Sequence, residues 1–231
     1  MTYKSLFFDF DDTLWDTRSN NRECLEDLYT DYRFDRYYAS FEAFYNYYMP
    51  HNLELWQKYR KQEIDRQALI VERFRHVLIP TGVTDTASAL RLNRDFLERT
   101  TLKTVLIPGA LDLLDYLRPS YKMHILSNGF REVQFKKLEH SGLDVYFDCV
   151  ILSEDAGIQK PHKEIFDFAL KNTNSRRSET LMIGDSWEAD VAGARRSRID
   201  QLWFNPQNLP PVENFTPTYI VGSLAGIKDI L

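Results

Sequence analysis

Cysteine is scarce. Cys24 and Cys149 are the only two in 231 residues, too few for a disulfide framework and without metal-ligand spacing. Basic charge is not in excess either. Twenty-nine Lys and Arg against 34 Asp and Glu leave a net charge of -5 and a pI near 5.6. That excludes a nucleic-acid polymer as the main partner, since such partners need a basic face. The cluster Arg195-Arg196-Ser197-Arg198 is too short to change this and reads as a solvated helix end. No apolar run approaches membrane-spanning length, so no membrane partner is expected. Met1-Thr2-Tyr3-Lys4 runs straight into an apolar segment, with no visible signal peptide. The expectation is a cytoplasmic protein in a reducing compartment. None of the five histidines has a ligand spacing, and no internal repeat is evident.

Glycine and strand signals are nearly missing from residues 17–101, where Gly82 is the only glycine. Apolar positions recur there at helical spacing, as in Leu25-Leu28-Tyr29-Tyr32 and Leu69-Ile70-Arg73-Phe74-Val77. We read four helices, with breaks near 33–39, 60–65 and 80–84. Between Tyr29 and Tyr59, 12 of 31 residues are aromatic, which reads mainly as packing between helices.

The rest of the chain alternates strand and helix. Strands are expected at the apolar run before Asp9 and at 122–126, 149–152, 180–183, 201–204 and 219–221. Helices are expected at 133–140, at 161–170 with Pro161 in the first turn, and at 187–196, with a small one after the last strand. A hydrophobic content of 43% suffices for a sizeable core. The fold class is therefore α/β, a doubly wound, mostly parallel sheet, with a helical domain inserted after the first strand. The expected division is 1–16 with 102–231 as the core, and 17–101 as the insertion.

Four motifs fall at or just beyond the C-terminal ends of successive strands: Asp9-x-Asp11, Ser127-Asn128-Gly129, Lys160-Pro161, and Gly184-Asp185 through Asp190. Alone, each has a plain reading: an acidic turn, a strand-ending turn, a solvated lysine, and a helix cap at Asp185 or Ser186 followed by a surface acid at Asp190. In a parallel sheet these tips share one edge, and the groups converge. Together they fit phosphoryl transfer, which needs an in-line nucleophile and neutralised equatorial oxygens. Asp9 supplies a carboxylate nucleophile. A divalent ion between Asp9, the phosphate and Asp185 screens the repulsion between anions. Lys160 adds a fixed charge. Ser127 and Asn128, in the turn through Gly129, supply hydrogen bonds to phosphate. Asp11 is placed to protonate the leaving oxygen and then activate water. The first of these roles needs a raised pKa, which a crowded anionic site is expected to provide.

The four motifs resemble those of the haloacid dehalogenase (HAD) superfamily of phosphohydrolases, over nearly the whole chain, with the helical insertion matching that superfamily's C1 cap. The resemblance implies Asp9 as nucleophile and Asp11 as general acid/base. It implies Mg²⁺ held by Asp9, the Asp11 main-chain carbonyl and Asp185. Phosphate contacts come from Ser127, Asn128 and Lys160, and Asp190 acts on the metal directly or through water. Ser127 to Phe130, Phe147-Asp148 and Ser153 to Pro161 further resemble the YjjG-type pyrimidine 5′-nucleotidases. So do Asn52 to Trp56, Arg73-Phe74, Trp203 to Pro206 and Pro217 to Tyr219. Ser197-Arg198-Ile199 departs from that pattern, which has Ala-Gly-Ile, and so lacks a helix-ending glycine.

The expected activity is Mg²⁺-dependent hydrolysis of a small phosphorylated metabolite, a nucleoside 5′-monophosphate first. Another small phosphate ester (a sugar phosphate or phosphoglycolate) and a non-catalytic regulatory protein on the same scaffold are the alternatives. The presence of Asp11 argues against dehalogenation. Asn52 and Trp56, four residues apart on one helix face, are the candidates for reading the leaving group.

Overall fold

A computed structural model describes residues 3–231. Six strands among them form one parallel sheet in the order β3-β2-β1-β4-β5-β6. They are β1 (Ser5–Phe8), β2 (Lys122–Ser127), β3 (Cys149–Leu152), β4 (Thr180–Gly184), β5 (Asp200–Phe204) and β6 (Tyr219–Val221). β1 and β4 are buried at every residue. That is why they read as unbroken apolar runs rather than alternating ones.

Side chains of β1 divide between two cores. Leu6 and Phe8 join the cluster that contains Leu113, Leu114 and Leu117 of α5 (Ala110–Leu117). Phe7 points the other way, into the cluster with Ile165, Phe166 and Ala169 of α8 (Lys163–Asn172), the helix that follows the one-turn α7 (Ser153–Ala156). Burying one such phenylalanine contributes roughly 1.5–3 kcal/mol. The strand order reverses between β1 and β4, and open α/β sheets place ligands at the C-terminal tips of such strands.

The chain divides into two compact units: the residues up to Thr17 together with Thr104–Leu231, and Arg18–Lys103. Four helices account for most of the second: α1 (Thr17–Asp31), α2 (Phe41–Arg60), α3 (Arg66–Leu78) and α4 (Thr86–Thr100). Three of them start on side-chain caps. Ser40, Asp65 and Asp85 accept from the backbone N–H groups of Ala43, Ala68 and Ser88, each contributing about 1 kcal/mol. Gly82 takes φ 77° just before α4 and so permits the tight turn there. Much of the aromatic run packs into the core of this unit. Phe34 stacks on Phe44 at 5.0 Å, and Tyr38 meets Phe44 edge-on at 5.3 Å. Arg73 is buried among these helices and donates from Nε to Asn93 Oδ1 at 3.1 Å.

Two helix boundaries differ from expectation. The segment expected to start at Pro161 begins at Lys163 instead. His162 is extended and precedes the first turn, and Lys160-Pro161 is a cis peptide. Residues 187–196 are not one α-helix. A wide π turn, Trp187–Ala192, runs into the short α9, Gly193–Arg196. At Gly193 a Cβ would lie 2.8 Å from the Phe166 ring and 3.0 Å from the Pro161 backbone, so helix and loop approach too closely there for a side chain. Both cysteines are free. No described helix is long and apolar enough to cross a membrane.

Candidate active site

The tips of β1, β2 and β4 carry Asp9, Ser127 and Asp185, and the loop after β3 brings Lys160 among them. Lys160 is 1% exposed. Its Nζ donates to Asp9 Oδ1 at 2.7 Å, to Asp190 Oδ1 at 2.6 Å and to the Leu126 carbonyl at 2.6 Å. Burial alone would lower the lysine pKa. The charges of Asp190 and Asp9 outweigh it and raise the pKa, so the ammonium is fixed. Asn128 holds this loop by a two-way bond. Its Oδ1 accepts from Lys160 N and its Nδ2 donates to Lys160 O, both at 2.9 Å. That leaves one Nδ2 proton for another acceptor.

Asp9, Asp185 and Asp190 offer carboxylate oxygens that all lie within 4.8 Å of one another. Burial pushes the Asp9 carboxyl up and Lys160 pulls it down. With the repulsion of Asp190 and Asp11 added, it settles at about 7. Asp185 is raised well above its ordinary value, by burial first and then by Asp9, Asp190 and Asp12. Thr13 Oγ1 lies between the two carboxylates, 3.4 Å from Asp9 Oδ2 and 3.3 Å from Asp185 Oδ1, and accepts from Asp185 N at 3.1 Å. One hydroxyl proton serves both acids poorly. An all-oxygen group short of positive charge fits a hard divalent cation such as Mg²⁺. Asp190 has both oxygens engaged, Oδ1 by Lys160 and Oδ2 by the N–H of Ser186 at 3.0 Å. The π turn aims it there. Asp190 lies so close over Gly184 that a Cβ would meet it at 2.3 Å. It is a buried strut, not a surface acid, and Ser186 is the residue that caps the turn.

Asp11 departs from expectation. Burial pushes its carboxyl up, but Lys137 and hydrogen bonds from Lys137, Gln134 and Thr17 outweigh that and hold it below the usual range. Lys137 Nζ donates to Oδ1 at 2.7 Å, Thr17 Oγ1 to Oδ1 at 3.0 Å and Gln134 Nε2 to Oδ2 at 2.7 Å. The raised pKa expected from crowding is therefore not found, because a cation from α6 (Arg131–His140) faces the carboxylate. Lys137 also lies 3.8 Å over the Trp15 ring, a cation–π contact that fixes its head.

Gln134, Lys137, Thr13 and Thr17 were missed in the sequence. For the first two a signal existed. Val133, Gln134, Lys137 and Leu138 are the buried face of α6, and two polar residues within an apolar stripe call for partners. Asn52 and Trp56 both lie on α2 of the helical unit. Asn52 Oδ1 accepts from Tyr48 Oη at 3.2 Å, and Trp56 meets Tyr59 edge-on at 5.9 Å.

The profile of the haloacid dehalogenase-like hydrolases matches residues 3–198. The chain belongs to that family. Pyrimidine 5′-nucleotidase YjjG of Escherichia coli (strain K12) is 32% identical, over 100% of this chain and 99% of its own length. Pyrimidine 5′-nucleotidase PynA of Streptococcus pneumoniae is 33% identical, over 100% and 96%. The crystal structure of the HAD-hydrolase YfnB from Bacillus subtilis, bound to magnesium, superposes with a TM-score of 0.88 at 29% identity, covering 100% of this chain and 99% of that one. A HAD hydrolase is what the convergence of Asp9, Lys160 and Asp185 on one sheet edge calls for.

Proposed function

We propose that this hydrolase is a Mg²⁺-dependent phosphomonoesterase that works through an aspartyl-phosphate and acts on nucleoside 5′-monophosphates. The observation that carries the chemistry is the buried contact between Lys160 and Asp9, which leaves Asp9 Oδ2, among the described residues, with only a long bond to Thr13. That oxygen attacks phosphorus, and the ester P–O bond breaks as the new one forms. Asp9 and Asp185, with the Asp11 main-chain carbonyl, would hold Mg²⁺, which neutralises phosphate charge when bound.

Asp11, kept ionised by Lys137, is in the state that takes a proton from the water that hydrolyses the aspartyl-phosphate. To protonate the leaving oxygen first, it has to bind a proton and loosen from Lys137. Asn128 completes the phosphate cradle with Ser127 through its remaining Nδ2 proton, while Lys160, whose three protons go to Asp9, Asp190 and the Leu126 carbonyl, acts on the phosphate by its charge. Asn52 and Trp56 are the side chains we assign to leaving-group recognition, and the nucleotide preference draws its support from the likeness to YjjG and PynA.

The test is hydrolysis of an aryl phosphate, sugar phosphates and nucleoside monophosphates by wild type and Asp9→Asn, with and without chelator. Expected are loss of turnover in Asp9→Asn with the fold retained, loss in chelator, and recovery with Mg²⁺. Near-normal activity of Asp9→Asn overturns the mechanism. A preference for sugar phosphates overturns the substrate class alone.

A further inference from the structure

Gln134 has no exposed surface, yet it reaches two groups of the site at once. Its Nε2 donates to Ser127 Oγ at 2.7 Å and to Asp11 Oδ2 at 2.7 Å. The amide cannot be turned over, because Oε1 would then face the Asp11 carboxylate, acceptor against acceptor. Oε1 itself has no hydrogen-bond partner among the described residues. A buried amide left half satisfied asks for an explanation in function.

Ser127 supplies it. Its Oγ also accepts from Gly129 N at 3.1 Å. Two donors, Gly129 N–H and Gln134 Nε2–H, fill the two acceptor positions of the hydroxyl. The one thing Ser127 can still do is donate. Gly129 belongs to the same device. A Cβ there would stand 2.4 Å from the Gln134 amide, so the glycine is bare because Gln134 crosses it.

We infer that Gln134 is a positioning residue for phosphoryl transfer: it makes the Ser127 hydroxyl an obligate donor to a phosphate oxygen and ties that hydroxyl to the Asp11 carboxylate. The inference rests on the reading of Ser127 and Asp11 given above. Gln134 itself neither forms nor breaks a bond in the reaction. Lys137, one turn further along α6, fixes the other oxygen of Asp11, so a single helix sets both the phosphate donor and the acid/base carboxylate.

The experiment uses the full chain with saturating Mg²⁺, an aryl phosphate as substrate and orthophosphate as competitive inhibitor. Gln134→Leu removes both bonds at similar volume. It is expected to lower kcat about 10²-fold, within the range for losing one oriented donor, and to weaken orthophosphate inhibition about tenfold. In a Ser127→Ala background the orthophosphate effect of Gln134→Leu should shrink below about threefold, because the hydroxyl it acts through is gone. Gln134→Glu offers Ser127 an acceptor, turns its proton inward, and should weaken orthophosphate more than Leu does. Gly129→Ala, which displaces the amide, should reproduce Gln134→Leu. An undiminished effect of Gln134→Leu in the Ser127→Ala background overturns the inference. So does orthophosphate binding by Gln134→Glu equal to wild type, which decides the matter if the leucine variant does not fold. Wild type inactive on every phosphate ester would instead bring down the functional reading beneath it.

Discussion

Lys160→Met keeps the length of the side chain and removes its charge. The ammonium lost is 1% exposed and leaves behind Asp190, also 1% exposed, and Asp9. Asp190 would retain its bond from Ser186 N–H but no neutralising charge from the lysine. Removing one partner of a buried pair costs about 3–5 kcal/mol, because a charge is stranded in a poorly solvating interior. Asp9 already sits at about 7 with the lysine beside it. Without the lysine the carboxyl moves higher still, toward the protonated form that is a poor nucleophile. Stability should therefore drop by about 3–5 kcal/mol in urea unfolding with chelator present. Mg²⁺ should restore part of it by mass action, and kcat/KM should fall by at least about 10²-fold. Adding Asp190→Asn removes one stranded carboxylate and should recover at least about 1 kcal/mol of stability relative to additivity. A loss below about 1 kcal/mol in the single variant, with no coupling to Asp190→Asn, would refute the argument that Lys160 holds the strand tips together electrostatically.

Lys137→Met should raise the Asp11 pKa, since it removes the adjacent opposite charge that holds the carboxylate low. As water activation needs ionised Asp11, the acid limb of the pH–kcat profile should move to higher pH, and an unmoved limb contradicts the pairing. Arg198 takes φ 57° just past α9, where its N–H bonds Arg195 O and that of Ile199 reaches back to Ala194 O. This is a position that favours glycine, so Arg198→Gly should gain about 0.5–1 kcal/mol in urea unfolding, and a loss would show that the arginine makes an offsetting contact. His124 is buried, with neither ring nitrogen hydrogen-bonded among the described residues, and burial lowers its pKa below 6.5. The unfolded chain therefore binds the extra proton, and stability is lost as pH falls through about 6.5. His124→Leu should gain about 1 kcal/mol at pH 7 and more at pH 5.5, while equal gains at both pH values would show that His124 does not titrate on unfolding.

The strands and the inserted helices could be read from the chain because their signals are local. Apolar runs end at Asp9 and Ser127, and Asp65 and Asp85 cap helices within three residues of themselves. The convergence of Asp9, Lys160 and Asp185 was legible as well, since a parallel sheet leaves strand tips no other edge to share. What the sequence could not disclose is which partner each charge would meet. Asp11 was expected to have a raised pKa from its acidic neighbours. Only the folded chain brings Lys137, 126 residues away, within 2.7 Å of it. The same holds for Gln134, and for the π turn that lifts Asp190 off the surface and sets it against Lys160. Helix and strand periodicity record which face is buried. The ionisation of a buried group depends on charges and donors a few ångströms away in space, and those are assembled by tertiary packing.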